Sequence, residues 1–431
     1  MNKNIKLAVA GAVLALSATA ANAGIIIPAG DWTLDIGGNV NSFSTWTRST
    51  GSAGLGGGIY GAYDANSTGA KTENNITTGL LPNYLSVSGT TRQNDLDVAF
   101  TISINPGAST TRSGIQTQAL NQENRQAFLT FGDKSWGSIK IGKDIGVFAS
   151  DAILNDMTLL GVGRGAGGLA GNTTTTGRIG SGFMYADWKS QVNYTTPNFG
   201  GFQATVGISQ AWNAWNIADA AATSVTASSH NSTSASSDAR GEGTPAFDAK
   251  ASYSFSGDVS GKVWVSGTRQ KVKGLSKYAS GVSTSVSGDD DAWAADVGAN
   301  VNVAGFGLTG YYYNGEGIGQ THQLLDGFDL NGKKRDSYGG YVQATYQLPT
   351  KTKLGVAWGE SNLDRASSSD ALGDTKDELW TVGAYHPLTK HLNLVAEYNH
   401  ATHEVRGNTT SAANNGELKA KNVSLGAILF F

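Results

Sequence analysis

Apolar and polar residues alternate with a period of two along this chain, and this alternation constrains its fold more than any other feature. Between Leu96 and Ile104 every second residue is apolar, whereas Asp95, Asp97 and Thr101 fall on the opposite face. Successive side chains of a strand point to opposite faces, so the segment predicts a β-strand with one apolar side. The pattern returns at 202–209, 247–255, 295–303, 338–347 and 392–399. We therefore expect an all-β protein.

The connections between these strands alternate between short and long. The short ones lie at 93–94, 133–137, 197–201, 256–258, 304–305, 349–351 and 387–390. The long ones are rich in Gly, Ser, Thr and Asn, and run near 48–79, 106–122, 144–185, 211–245, 270–290, 315–335, 362–376 and 403–418. Seven turns and eight loops predict sixteen strands, and an even number places both termini on the same side.

Short turns at one rim and long loops at the other are typical of bacterial outer-membrane barrels, in which the turns are periplasmic. In a bilayer such a sheet must close, because an open edge would leave backbone groups unpaired in hydrocarbon. We predict a transmembrane antiparallel β-barrel of 16 strands with short periplasmic turns and long extracellular loops. A soluble β-sandwich would also alternate, but it gives no reason for the strict short–long order.

Composition narrows the function classes. The chain has no cysteine, which excludes disulfides, zinc–thiolate sites, iron–sulfur clusters and thiol catalysis. Its charged fraction is 15%, against roughly 25% in a typical soluble domain. Most of the six histidines fall in loops or turns, and no nucleophile elbow or phosphate loop is present. We predict no enzymatic activity, no metal and no cofactor.

The N-terminus predicts export. Two lysines precede the apolar run 7–16, which is too short to span a bilayer, and small residues follow at 21–23. This pattern predicts a signal peptide over residues 1–23, cleaved before Gly24, and a barrel over residues 24–431. The alternative is an N-terminal membrane anchor. Loss of the two lysines makes the net charge of −3 more negative, which argues against a nucleic-acid partner.

Four segments together resemble the general trimeric porins of Gram-negative bacteria. They are RQAFLTFGDKSWGSIKIGKD at 125–144, IGVFASDAILNDM at 145–157, GRIG at 177–180 and QVNYTTPNFGGF at 191–202. The resemblance implies a homotrimer of water-filled barrels in the outer membrane, in which the third long loop, 144–185, folds into the pore. The apolar residues Val147, Phe148 and Ile153 are compatible with a loop packed on the inner wall. Packing on the trimer axis or on other loops is the alternative.

The same resemblance implies a constriction in which acids on the inward loop face basic side chains on the wall. By motif, Asp156 matches a pore-facing acid, with Asp151 as a second candidate; Arg125 and Arg178 match basic wall positions, with Lys140 weaker. The alternative for each charge is a rim residue, solvated or bound to lipopolysaccharide. The two loop acids favour a weak cation preference.

Two features weaken this charge pattern. Leu160, Gly38 and Tyr84 fall where enterobacterial relatives carry charged residues, so strong selectivity is in doubt. In addition, an inward Arg125 would turn Leu129 inward on a regular strand, against its hydrophobicity. A position of that strand at a trimer interface would reconcile the two.

The chain ends on an apolar strand that includes Leu429 and Phe431. A terminal aromatic residue of this kind predicts an assembly signal for the machinery that inserts bacterial barrels; a plain final strand is the alternative. The resemblance implies an outer-membrane channel for passive diffusion of small hydrophilic solutes and ions, with outer-membrane lipids and lipopolysaccharide as neighbours. A substrate-specific channel, for sugars or organic anions, is the alternative.

Overall fold

The computed structural model describes residues 24–51, 71–108, 122–164, 174–215, 236–239, 243–279, 282–286, 290–409 and 415–431. Its strands are β1 (Ile25–Ala29), β2 (Trp32–Gly51), β3 (Thr72–Thr77), β4 (Tyr84–Gln93), β5 (Leu96–Pro106), β6 (Gln122–Asp133), β7 (Gly137–Ile145), β8 (Trp188–Thr195), β9 (Phe202–Ser209), β10 (Ser236–Ala239), β11 (Ala246–Phe255), β12 (Val259–Ala279), β13 (Val282–Ser285), β14 (Asp290–Val303), β15 (Phe306–Glu316), β16 (Asp336–Gln347), β17 (Lys353–Leu363), β18 (Asp374–Pro387), β19 (Leu392–Arg406) and β20 (Gly416–Phe430). A helix, α1 (Ser150–Asn155), and a 3₁₀ turn, Met157–Leu160, lie between β7 and β8. The predicted signal peptide lies outside the described residues.

The strands form one closed antiparallel barrel. The last strand, β20, pairs with β2 from Asn39↔Phe430 to Gly51↔Leu418, which closes the sheet. β3 and β4 follow one another along one side of β2, and β1 and β20 do so along its other side, so each pair fills one wall position. β10 and β13 extend the long-loop end of β12. The wall therefore has sixteen positions, and the predicted strand number is confirmed.

The two faces of the wall differ as the alternation predicts. Val297 and Leu308 are 56% and 59% exposed on the outside, whereas their neighbours Asp296 and Thr309 are each 4% exposed. An apolar exterior suits hydrocarbon, and a closed sheet leaves no unpaired edge. Among the described residues, no helix has the length and apolar character needed to cross a membrane.

Short turns and long loops lie at opposite ends of the barrel. Asn94 and Asp95 both have positive φ (47° and 62°), which suits a two-residue hairpin turn that follows the strand twist. This turn lies one residue later than predicted. The long connections that concern the site are L3 (146–187), L4 (210–245), L6 (317–335) and L7 (364–373).

The barrel interior contains an apolar core at its long-loop end. Phe148 and Phe183 of L3 pack in one cluster with Ala214 of L4 and with Leu324 and Phe328 of L6, and none of the five is more than 1% exposed. Three loops turn inward and bury one another's apolar side chains, which lowers their free energy because this surface leaves water. The long-loop half of the lumen is therefore partly filled by protein.

Candidate functional site

L3 runs along the inner wall and is fixed there by its own backbone. The N–H of Ala149 donates to Asp296 Oδ2 on β14 (3.2 Å), and the N–H of Met157 donates to Gln343 Oε1 on β16 (2.6 Å). Further on, the N–H groups of Val162 and Gly163 both donate to Glu397 Oε2 on β19, each at 2.9 Å. L3 therefore crosses the inner wall from β14 to β19, as the prediction of an inward third loop requires.

These anchors are side chains that alternation alone places in the lumen. Asp296 and Glu397 are only 4% and 3% exposed, because L3 covers them. Glu397 also accepts from the hydroxyl of Tyr385 at 2.7 Å and from Asn399 at 3.2 Å. Hydrogen bonds to a carboxylate are stronger than neutral ones, so each acid is a firm attachment point.

Asp156 and Arg178, two predicted constriction residues, form an ion pair inside L3. Arg178 Nε lies 3.4 Å from Asp156 Oδ1, and the guanidinium also donates to the carbonyl of Leu379 (2.8 Å) and to Thr381 Oγ1 (3.1 Å) on β18. Asp156 in turn accepts from the N–H of Thr158 at 3.2 Å. Arg178 is 0% and Asp156 4% exposed, so this pair binds L3 to the wall and is shielded from the lumen water.

Asp151, on α1, meets two lysines from neighbouring wall strands. Lys250 Nζ on β11 lies 2.9 Å from Asp151 Oδ2, and Lys262 Nζ on β12 contacts Asp151 Oδ1. Lys250 also donates to Ser150 Oγ at 3.1 Å. The lysine side chains are 22% and 31% exposed, against 4% for the Asp151 side chain. The accessible charge at this point is therefore the ammonium charge.

Arg125 lies in a β-bulge, and this resolves the conflict over the direction it faces. On β5, Ser103 pairs with Gln126 and the next residue, Ile104, pairs with Asn124, so Arg125 is the extra residue. A bulge shifts the alternation by one residue. Leu129 therefore faces outward at 44% exposure, while Arg125 is buried at 8%.

The guanidinium of Arg125 is held by L3 and by a neighbouring aromatic ring. It donates to Tyr185 Oη at 3.3 Å and lies 4.6 Å from the centre of the Trp188 ring. We considered a trimer interface as the explanation for the direction of Arg125, but the bulge makes it unnecessary.

Lys140 faces the interior but is engaged by a neighbour four residues along its own strand. Its Nζ contacts Asp144 and lies 4.9 Å from the centre of the Phe128 ring. Asp144 is 2% exposed and also accepts from Gln126 Nε2 at 3.0 Å. Lys140 lies on β7, away from the lysines that meet Asp151.

L6 lies over L3 at the long-loop end. Gln323 Nε2 donates to the carbonyls of Tyr185 (3.1 Å) and Ala186 (3.3 Å) in L3. Gln320 Nε2 donates to Asp377 Oδ2 on β18 at 3.0 Å. A buried ion pair between Arg335 and Asp370 ties the end of L6 to L7. L6 was predicted only as a long polar loop, and its inward fold was missed.

The chain terminus is paired rather than free. The N–H of Phe431 donates to the carbonyl of Gly38 (3.1 Å), and the N–H of Gly38 donates back (2.9 Å). Leu429 faces outward and is 43% exposed. Within the described residues, no three His, Asp or Glu side chains are grouped so that they could hold a metal ion.

A closed sixteen-stranded wall with an apolar exterior and a loop folded along its inner face defines a transmembrane β-barrel channel. The family model described as Gram-negative porin matches residues 8–405, and the chain belongs to this family. It is therefore an outer-membrane channel protein rather than a member of an enzyme family.

Solved structures share this fold at low identity. The outer-membrane channel DcaP of Acinetobacter baumannii is 17% identical with a TM-score of 0.63, and the match covers 95% of this chain and 100% of that one. An anion-selective porin from Comamonas acidovorans is 14% identical (TM-score 0.56; coverage 93% and 100%). Salmonella typhi OmpF, in complex with daunomycin, is 13% identical (TM-score 0.52; coverage 93% and 100%). No curated protein sequence matches this chain significantly.

Proposed function

We propose that the protein lets small hydrophilic solutes and ions diffuse passively across the outer membrane, through a lumen narrowed by L3. The observation that carries this proposal is the attachment of L3 to the inner wall from β14 to β19. A loop that is fixed to the wall at Ala149, Met157 and Val162 sets a fixed aperture. Passage then needs only a concentration gradient, and we propose neither catalysis nor a cofactor.

Liposome swelling tests passive diffusion directly. Vesicles that contain the purified protein should swell in neutral sugars at rates that fall smoothly with solute size and do not saturate with concentration. An absence of swelling with correctly folded protein would overturn the proposal.

We further propose that Asp151 with Lys250 and Lys262 forms the constriction, while Asp156 and Arg178 hold L3 in place. Arg125 and Lys140 contribute to the field from the wall beside L3. The sequence favoured a weak cation preference because of its two loop acids, but both are buried, whereas the two ammonium groups are partly exposed. The geometry therefore favours a weak preference for anions, since charged rings select ions by their accessible charge.

A substrate-specific channel is the second candidate, and the apolar cluster of L3, L4 and L6 favours it. By filling part of the long-loop half, these loops leave less open cross-section for unselected solutes. Swelling that is fast for one sugar or organic anion, slow for others of equal size, and saturable would support this candidate over passive diffusion.

We also propose the assembly that family membership suggests. The chain would form a homotrimer after removal of residues 1–23, and its last strand, with Leu429 and Phe431, would be read by the barrel-insertion machinery. Lipids of the outer membrane, including lipopolysaccharide, would surround the apolar exterior. Cross-linking of the protein in native membranes tests the trimer, and the N-terminal sequence of the mature protein tests the cleavage site.

A further inference from the structure

One row of outward-facing side chains crosses eight neighbouring strands of the wall. At one end Arg48 on β2 pairs with Lys421 on β20, which pairs with His400 on β19. The row continues through Trp380 and Trp358 on β18 and β17. It ends at Val342, Gly310 and Ala299 on β16, β15 and β14. One end of the row is basic and the other is apolar.

The basic end carries positive charge that the neighbouring side chains do not balance. Arg48 and Lys421 lie directly opposite each other, and like charges in this position, with Cβ atoms about 5 Å apart, destabilise a sheet. Among the described residues, neither forms an ion pair, whereas the nearby Lys419 pairs with Glu417 at 2.6 Å. His400 Nε2 is buried and lacks a hydrogen-bond partner within the described part of the chain. An anion bound here would relieve the repulsion.

The apolar end is a groove on the outer wall with a volume of about 500 Å³. Its small residues Ala299, Gly310 and Ala344 are flanked by larger ones that include Trp358 and Leu308. A Cβ added at Gly310 would meet no atom within 4 Å, so the space beside this residue is open. The groove extends across the four strand pairs from β14 to β18, which suits an extended hydrocarbon chain.

The row descends from the long-loop rim into the wall. Arg48 lies three residues from the long-loop end of β2 at Gly51, whereas Ala299 lies four residues from the turn end of β14 at Val303. Strands of a closed barrel tilt by about 35–45°, so a row that crosses them perpendicularly changes depth. The basic end is thus at the height of lipid headgroups, and the groove is at the height of acyl chains.

We propose that this row is a binding site for one lipid of the outer leaflet that carries a phosphate headgroup. Arg48 and Lys421 bind the phosphate through charge-assisted hydrogen bonds, with His400 beside them. One acyl chain passes the indole rings of Trp380 and Trp358 and lies in the groove, where its burial adds hydrophobic free energy. Glu378 is the nearest acid on β18, and it is the next outward-facing residue after Trp380 toward the long-loop end. It pairs with Thr402 and not with a residue of the row, so it does not occupy the phosphate position. This proposal depends on the outer-membrane location of the protein, and it does not depend on which solute passes through the channel.

Native mass spectrometry of the detergent-solubilised full chain with phosphorylated lipid A tests this site. The double variant Arg48→Gln/Lys421→Gln should bind lipid A at least tenfold more weakly, because it loses charge-assisted hydrogen bonds of the stronger kind. Gly310→Leu should also weaken binding, since its side chain fills the groove. Lys271→Gln and Ala295→Leu are matched controls on the same outer face, outside the row, and should bind as the unmodified protein does.

Four results would overturn the proposal. The double variant could bind lipid A with unchanged affinity, a lipid with an unphosphorylated headgroup could bind as tightly, or inorganic phosphate alone could displace the lipid completely. Dissociation of the double variant into single subunits with unchanged lipid binding would instead identify a subunit contact, and would also overturn it. Conductance of the same variants should be unaltered, because the row lies outside the lumen; this keeps the test separate from that of the channel itself.

Discussion

Asp151 is a carboxylate buried beneath two ammonium groups, and its pKa reflects the opposing effects of burial and of these two charges. Burial raises the pKa of Asp151, but the charges of Lys250 and Lys262 outweigh burial and hold the pKa below its ordinary value of 3.8. A depressed pKa means that the attachment of α1 to the wall is complete above about pH 4 and is lost only as the pH falls below 3.8. At neutral pH the site therefore carries one buried negative and two accessible positive charges.

The ion preference of the channel should change when these positive charges are removed. In the double variant Lys250→Gln/Lys262→Gln, we expect the reversal potential in a salt gradient to move from the anion toward the cation side, since Asp151 then remains as the local charge. Lys271→Gln removes a lysine from the outer face of β12 and should leave the reversal potential unchanged. An equal shift in both variants would show that accessible lumen charge is not the cause.

The buried pair of Arg178 and Asp156 should hold L3 rather than carry ions. Replacing Arg178 by Met leaves Asp156 buried without its charged partner, a change that costs about 3–5 kcal/mol in comparable buried pairs. We expect L3 to loosen, so that mean single-channel conductance and current noise both rise while the barrel stays folded. Arg178→Lys keeps the charge but loses the planar guanidinium. Its conductance and current noise should lie between those of the unmodified protein and those of Arg178→Met. Unchanged noise in Arg178→Met would refute this role.

At the scale of the element, L3 and β6 show what sequence patterns can and cannot predict. The apolar residues of L3 correctly predicted an inward loop, because a segment bathed only in water has no reason to be apolar. The bulge at Arg125 was not predicted, although the conflict between an inward Arg125 and an outward Leu129 was its mark in the sequence. Alternation alone does not distinguish an extra residue from a subunit contact as the cause of such a conflict. The meeting of Asp151 with Lys250 and Lys262 joins residues about a hundred positions apart, and only the closed barrel brings them together.

L6 should respond to acid through His322. The imidazole packs edge-on against Tyr185 of L3 (5.7 Å between ring centres) and near Trp215 of L4 (6.1 Å). Burial lowers the pKa of His322 below 6.5, opposed by Asp187 and assisted by Arg164. The released loop thus binds protons more readily, and the packed L6 loses stability as the pH falls below 6.5.

Thiol labelling measures this release cleanly, because the chain has no cysteine of its own. The measured quantity is the labelling rate of Leu324→Cys, buried in L6, divided by that of Leu388→Cys, at an exposed turn. This ratio should be higher at pH 5 than at pH 7.5. Adding His322→Phe should remove the pH effect. A ratio that stays constant with pH would contradict the expectation.

At the scale of the whole molecule, the outer wall was predicted far better than the interior. Alternation and connection lengths were enough for sixteen strands and the placement of turns, because each is a local consequence of a two-sided wall in lipid. Closure, which pairs β2 with β20, followed from the cost of an open sheet edge in hydrocarbon. The packing of L4 and L6 against L3 was not predicted, since L4 and L6 are polar on average and their apolar side chains meet those of L3 only in the folded barrel. Apart from the closing pair of β2 and β20, the wall depends on strands that follow one another in the chain, whereas the interior depends on contacts between distant segments.

Planar-bilayer recording of the purified protein shows most directly whether this barrel is an open channel with an aperture set by L3. A homotrimer of separate pores should give stable steps in groups of three, with currents proportional to voltage at low potentials. Correctly folded protein that inserts into the bilayer and gives no conductance steps would contradict it.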